Sequence, residues 1–204
     1  QKDRQILVAN FAQINDRISS LESKVSNYKK RLNEQRFKSL LDSLTKLPNR
    51  AAFDERYNYE INLFNEQPSD ITLVVVDVDH FKSINDRFGH TAGDITLQVI
   101  AKALQKSIRQ TDFIARYGGE EFVILLANTD RNASYEIAER IRKRVEDTPF
   151  KVTNKYTLSV TMSIGLSVMD EQSDIKTTKQ LVNAADQAVY AAKMSGRNRV
   201  HHAD

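Results

Sequence analysis

Arg116-Tyr117-Gly118-Gly119-Glu120-Glu121-Phe122 decides how this chain is read. Strand-like residues flank it, Phe113-Ile114-Ala115 before and Phe122-Val123-Ile124-Leu125-Leu126 after. Two glycines between two apolar runs predict a tight β-hairpin, with Glu120 and Glu121 at its tip. Adjacent carboxylates on a glycine turn add little stability, but they suit a divalent cation.

A second acid pair lies upstream. The run 71–76 is short, apolar and β-branched, and it reads as a buried strand. Asp77 and Asp79 end it. Alternation puts both on one face and Val78 on the other. Oxygen-only ligands suit Mg²⁺ or Mn²⁺, and Mg²⁺ held by two carboxylates is usually completed by substrate phosphates. Asp79 alone reads as a solvated strand end; Asp77 together with Glu120 reads as a metal site. Lys193 and Arg197, four residues apart at the end of the last predicted helix, would share a face and could meet phosphate. Cations at a helix C-terminus also serve the helix dipole. There is no Gly-rich phosphate loop and no dinucleotide fingerprint. The segment 81–94 is polar with glycine turns. Taken singly, Asn85 reads as a turn residue and Asp94 as a helix N-cap. Together they could read a purine edge, because a carboxylate accepts from guanine N1–H and N2–H.

The remaining elements give an order α-β-α-β-β-α-β-α. Helices are predicted over 51–65, 92–107, 133–146 and 181–194, the last ended by Gly196. A strand-rich stretch covers 156–168, interrupted at Gly165. A tight hairpin in the middle argues against a strictly alternating parallel sheet. The expectation is an α/β (α+β) fold: a mixed central β-sheet surrounded by helices.

A separate helix precedes this domain. Phe11, Ile14, Ile18, Leu21, Val25, Tyr28 and Leu32 step by three and four, a heptad seam with Phe11, Ile18, Val25 and Leu32 at a. Residues 1–41 therefore read as a parallel coiled-coil dimerisation helix, and 42–204 as the globular domain. In such a pair Arg17 faces Glu22, but Lys24 faces Lys29 and Arg31 faces Arg36. Gln35 and Ser39 then occupy seam positions. The coil is expected to weaken toward the domain.

Composition excludes much else. There is no cysteine, so no disulfide framework or thiolate chemistry, and the four histidines show no zinc spacing. The net charge of +3 is uneven: residues 1–41 carry nine Lys/Arg against four Asp/Glu, leaving the rest slightly acidic. That argues against nucleic acid as a partner. No apolar run reaches membrane-spanning length, so no membrane contact is expected of these residues. A start at Gln1 leads us to expect a longer protein, with a sensor or membrane region upstream.

Five motifs in order resemble the GGDEF-domain diguanylate cyclases over about residues 42–200. Gly118-Gly119-Glu120-Glu121-Phe122 matches the signature itself. Asp77-Val78-Asp79-His80-Phe81-Lys82-Ser83-Ile84-Asn85-Asp86 matches the family's DxDxFKxxND segment, and Phe88-Gly89-His90 with Gly93-Asp94 matches FGHxxGD. Asp42, Leu44, Thr45, Leu47, Asn49 and Arg50 match the DxLTxLxNR start, and Ala192-Lys193 with Gly196-Arg197-Asn198 the closing AKxxGRN. The heptad segment resembles the signalling helix that often precedes such domains. The resemblance implies a nucleotide-cyclase, polymerase-palm-like fold in a cytoplasmic homodimer. It implies condensation of two GTP into cyclic di-GMP with release of two pyrophosphates. Asp77, Glu120 and the Val78 carbonyl would hold Mg²⁺ or Mn²⁺, with Glu121 at the same metal site helping to activate the 3′-hydroxyl. Asn85 and Asp94 would bind guanine, with Phe81 lining that end. Lys82, Lys193 and Arg197 would contact phosphates. Arg109 and Asp112 have the offset of the family's RxxD product-inhibitory site, and Arg140 matches a further arginine used there in some members. Outside the resemblance, Arg109 and Asp112 read as a surface ion pair. The alternatives are a catalytically silent domain that binds GTP or cyclic di-GMP, a cyclase using adenine, and a purely structural dimerisation module.

Overall fold

A computed structural model describes residues 2–66, 69–153, 156–170, 173–175 and 177–203, with backbone alone at 2–12 and 178. The chain divides into two compact units, Gln1–Leu40 and Leu41–Asp204.

The first unit is one helix, α1 (Lys2–Ser39), uninterrupted by Gly or Pro. Its seam residues Ile14, Ile18, Leu21, Val25, Tyr28 and Leu32 are 47% to 64% exposed. Side chains of this size are left in water only at an apolar cost. The seam position Phe11 has its side chain outside the described residues. No helix among the described residues is long and apolar enough to cross a membrane.

The second unit is built on a five-stranded sheet in the order β2-β3-β1-β6-β7. The strands are β1 (Ile71–Val78), β2 (Phe113–Arg116), β3 (Glu121–Ala127), β6 (Met162–Met169) and β7 (Arg199–His202). Only β6 and β7 run parallel; the other neighbours are antiparallel, so the sheet is mixed. A short separate pair, β4 (Phe150–Lys151) and β5 (Thr157–Leu158), stands beside it. The helices are α2 (Arg50–Glu66), α3 (Phe81–Phe88), α4 (His90–Gln105), α5 (Arg131–Glu146) and α6 (Thr178–Met194).

Strand β1 is buried along its whole length, and its period of two divides the core. Val74, Val76 and Val78 pack with Leu97, Ile100 and Leu104 of α4 and Ile137 and Ile141 of α5. Ile71, Leu73 and Val75 pack with Phe53 and Tyr57 of α2 and Leu181, Ala185 and Val189 of α6. Asp77 is next in that second series.

Three expectations are corrected. Strand β6 runs unbroken through Gly165. A methyl group there would collide with the Ala185 carbonyl and the Val189 amide, so glycine lets α6 press onto the sheet. The segment 81–88 is a helix rather than a polar loop, because Phe81, Ile84 and Phe88 lie at helical spacing and Phe81 is buried. Helix α4 starts at His90, so Asp94 sits inside it and is no N-cap, just as Asn85 sits inside α3 and is no turn residue.

Candidate active site

Asp77 is the penultimate residue of the central strand and 6% exposed. Its register partner across β3 is Glu121, so two carboxyl-bearing residues lie side by side at the same end of the sheet. The turn before β3 is closed by the Glu121 carbonyl, which accepts from the Tyr117 N–H at 2.8 Å and the Gly118 N–H at 3.3 Å. Neither Gly118 nor Gly119 has positive φ. A methyl group on Gly118 would meet the end of the Glu121 side chain and displace that carboxylate, whereas one on Gly119 would meet nothing within 4 Å. Glu120 presents its carbonyl to the Val78 N–H at 3.2 Å, tying the turn to the end of β1.

A clamp holds the hairpin from outside. Arg116 meets both Asp42 carboxylate oxygens at 3.1 Å and donates to the Gly119 carbonyl at 2.7 Å. Asp42 also accepts from the Thr45 N–H and hydroxyl, each at 2.7 Å. Burial pushes the Asp42 carboxyl up, but the Thr45 and Arg116 hydrogen bonds outweigh it and hold the group below its ordinary value. Sequence reading assigned Arg116 and Asp42 no role in positioning the acids.

Burial raises the Glu120 carboxyl above its ordinary value, and the Asp77 charge raises it further. Glu121 is raised by burial, then by Asp77 and Asp186, with Lys193 and Arg50 opposing. A cation placed among these groups would relieve the strain. The donor chemistry therefore fits Mg²⁺ or Mn²⁺. Among the described residues no three His, Asp or Glu side chains are gathered to hold a metal unaided. Mg²⁺ held by one or two carboxylates is usually completed by substrate phosphates and water.

Lys193 reaches the same spot from α6. Its Nζ lies 2.7 Å from Asp77 Oδ2. Helix α6 ends at Met194, and Gly196 follows at φ 114° as its C′ residue. Arg197 therefore lies beyond the helix, not on a shared face with Lys193. It is exposed in a left-handed turn at φ 62°, followed by Asn198 at φ 48°.

At the other flank α3 and α4 pack closely. Asn85 Oδ1 lies over Gly93, where a side chain would collide with it, and the Phe81 ring lies beside the same glycine. Asp94 follows Gly93 and is exposed. The structure thus brings Phe81 and Asn85 together at Gly93, with Asp94 the next residue of α4 and Lys82 exposed on the first turn of α3.

Asp79 is not a solvated strand end. It is 4% exposed and accepts from the hydroxyls of Thr161 and Ser163 and from the Asn198 N–H. On the far edge of the domain, the Asp112 carboxylate accepts from the Arg109 backbone N–H at 2.8 Å. Among the described residues the Arg109 guanidinium forms no ion pair, which removes the surface-pair reading. Arg140 on α5 donates to the Ser107 carbonyl at 3.2 Å, placing it beside the same turn. A cavity of about 370 Å³ opens between α2, α6 and the sheet, floored by Asp77 and Glu121 and walled by Tyr117, Asp186 and Tyr190.

The model of the diguanylate cyclase GGDEF domain matches residues 39–199. Diguanylate cyclase DgcP of Pseudomonas aeruginosa is 43% identical over 185 residues, 91% of this chain and 27% of that protein. The chain spans about a third of the length of the curated relatives it matches. Among solved structures, the coiled coil and GGDEF domain of DgcB from Caulobacter crescentus, in complex with c-di-GMP, superposes with a TM-score of 0.84 at 29% identity. That match covers 93% of this chain and 99% of that one. The active GGEEF domain of a diguanylate cyclase from Vibrio cholerae gives 0.71 at 31% identity, covering 76% and 97%. That domain is named for the tetrad-plus-Phe variant that residues 118–122 also carry. By the extent of the family match and by the topology that places Asp77 beside the glycine hairpin, the chain belongs to the GGDEF family of diguanylate cyclase domains.

Proposed function

We propose that this chain condenses two GTP into cyclic di-GMP, releasing two pyrophosphates, with one GTP held by each protomer of a homodimer. The observation that carries the reading is the side-by-side placement of Asp77 and Glu121, with Glu120 in the adjoining turn and Lys193 at 2.7 Å from Asp77. Asp77, Glu120 and the Val78 carbonyl would hold Mg²⁺ or Mn²⁺, which when bound polarises the α-phosphate and offsets charge on the departing pyrophosphate. Glu121, its carboxyl raised by burial and by Asp77, is suited to take the proton of the attacking 3′-hydroxyl. Asn85 and Asp94 orient guanine against Phe81. Lys82, Lys193 and Arg197 hold the phosphates. The 3′-oxygen of each GTP attacks the α-phosphorus of the other, and the bond to pyrophosphate breaks. The protein contributes position and electrostatics.

Each GTP needs the other, so the reaction needs two domains face to face. Residues 1–41 serve as the dimerising helix and 42–204 as the cyclase domain; pairing the seam raises the effective concentration of the half-sites. Cyclic di-GMP also returns as an inhibitor, held by Arg109, Asp112 and Arg140, since arginine suits guanine Hoogsteen edges and phosphate. GTP as substrate places the reaction in the cytoplasm.

The test incubates the dimer, verified by sedimentation, with GTP, ATP or both plus Mg²⁺ and identifies products by mass. Cyclic di-GMP from GTP is expected, and Glu120→Gln abolishes it with the fold intact. An adenine dinucleotide instead overturns the roles of Asn85 and Asp94. No cyclic dinucleotide at all overturns the cyclase reading.

A further inference from the structure

The α6–β7 turn is held in a left-handed conformation by a chain of partly buried polar contacts. Arg197 and Asn198 are consecutive non-glycine residues in the left-handed region, at φ 62° and 48°. At Arg197 this costs about 1 kcal/mol or more unless the surroundings over-determine it, while asparagine enters the region more readily. The surroundings here do so from two sides. The Asn198 N–H donates to Asp79 Oδ2 at 3.0 Å. The Asn198 side chain accepts from Arg142 Nη1 at 2.6 Å and donates to Glu146 at 2.7 Å. Arg142 is 8% exposed, and it is itself fixed by Glu139 at 2.8 Å and Glu146 at 2.7 Å. Asp79 is fixed by the Thr161 and Ser163 hydroxyls at 2.8 and 2.7 Å, and its N–H by the Thr161 carbonyl at 3.0 Å.

These contacts converge on one point. Asp79 directly follows the strand that carries Asp77 and starts the turn that leads to Lys82. Asn198 follows Arg197 directly. One buried carboxylate therefore ties together the two segments from which phosphate-binding cations project.

We propose that Asp79, Asn198 and Arg142 are positioning residues for the triphosphate site. They hold the strained Arg197–Asn198 turn against the end of β1, and so fix where Arg197 meets GTP. The inference rests on the reading of Arg197 as a phosphate ligand. None of the three touches substrate, so they act only through the groups they place. Helix α5 contributes to the site in this way, although it packs on the opposite face of the sheet from Asp77 and Lys193.

The test is steady-state kinetics on the full chain with GTP and Mg²⁺. Arg142→Gln removes the outer anchor. Asn198→Gly removes the side-chain bonds while tolerating the left-handed backbone, which keeps the test valid where Arg142→Gln does not fold. Each is expected to raise KM for GTP by roughly tenfold, with kcat changed by about twofold at most. Arg142→Lys, which can reach only part of the network, is expected to recover part of the loss. In an Arg197→Ala background the same changes are expected to raise KM by less than about twofold, because the group they place is already gone. Equal effects in both backgrounds, or a fall in kcat at unchanged KM, overturn the positioning role. Should Arg197→Ala alone leave KM unchanged, the phosphate role of Arg197 fails, and the inference fails with it.

Discussion

Lys193 Nζ stands 2.7 Å from the Asp77 carboxylate, so a lysine from α6 neutralises the acid that a metal would claim. The lysine side chain is 34% exposed and the Asp77 side chain 8%, so the pair is half-buried and its Coulomb gain is offset by the desolvation of Asp77. A divalent ion with its phosphates brings more positive charge to Asp77 than one lysine does and can take its place. Lys193→Met is therefore expected to bind Mn²⁺ about fivefold more tightly in the free protein, while raising KM for GTP if Lys193 makes the phosphate contact proposed for it. Mn²⁺ titration followed by electron paramagnetic resonance reads the first effect. Weaker Mn²⁺ binding by the variant would mean that Lys193 supports the metal site rather than competing for it.

The raised Glu121 carboxyl predicts a pH-dependent stability. Burial and the Asp77 charge disfavour its ionised form in the folded state. Folding is thus favoured while the group is protonated, below the unfolded value of about 4.3, and loses that contribution as pH rises through the higher folded value. At neutral pH the charged group is a cost. Glu121→Gln should raise Tm at pH 7 without metal, and the gain should vanish near pH 4. Mg²⁺ with a GTP analogue should raise the Tm of the unmodified chain more than that of the variant. A Tm difference that is the same at both pH values would show that the raised carboxyl is not its source.

The same shift acts on catalysis. If Glu120 ligates the metal and Glu121 is the base, as proposed, their protonation removes both functions together, and the acid limb of kcat/KM should lie above the ordinary glutamate range. Raising Mg²⁺ should move that limb to lower pH, because the cation favours the charged forms. An acid limb insensitive to Mg²⁺ would place the titrating group elsewhere.

Period and spacing made the sheet and the acids legible. Alternation along 71–78 put Asp77 on the face where it is found, and the glycine hairpin announced β2 and β3. The misread residues were those whose context is short or distant. Helix α3 is eight residues long, and polar neighbours mask its three apolar positions, so Asn85 taken singly resembles a turn residue although it lies inside the helix. Asp79 looked like a solvated end because its partner Asn198 lies 119 residues away. The Arg116–Asp42 clamp spans 74 residues. Neither partner can be found from local pattern, since long-range polar pairing leaves no periodicity.

That clamp makes its own prediction. The Arg116 and Asp42 side chains are 15% and 20% exposed, so removing one leaves the other partly buried and unpaired. Arg116→Ala is expected to destabilise the domain by about 2 kcal/mol in urea denaturation and to lower kcat by loosening the turn that carries Glu120. Asp42→Asn should do the same more mildly, since it keeps an acceptor for Thr45. The lowered Asp42 carboxyl stabilises the fold above the unfolded value of about 3.9 and loses that effect as pH falls through the folded value. The difference between Asp42→Asn and the unmodified chain should therefore shrink on acidification. Full activity of Arg116→Ala would show that the hairpin holds its shape without the clamp.

The seam residues of α1 are exposed, so the proposed coiled-coil dimer can be tested through its flanking charges. In a parallel pair Lys24 opposes Lys29 and Arg31 opposes Arg36, and symmetry repeats each contact. Lys24→Glu with Arg31→Glu turns four repulsive contacts into attractive ones. At a few tenths of a kcal/mol each, the dimer gains about 1–2 kcal/mol, and its dissociation constant falls by roughly tenfold. Sedimentation equilibrium reads that change. Raised salt should narrow the gap between the two forms, because exposed charges are screened. At protein concentrations below the original dissociation constant, specific activity should rise in step with the dimer fraction. A tighter dimer with lower activity would instead show that the repulsive pairs keep the coil loose for the two cyclase domains to meet, and dimer stability unchanged by the double substitution would exclude this parallel register.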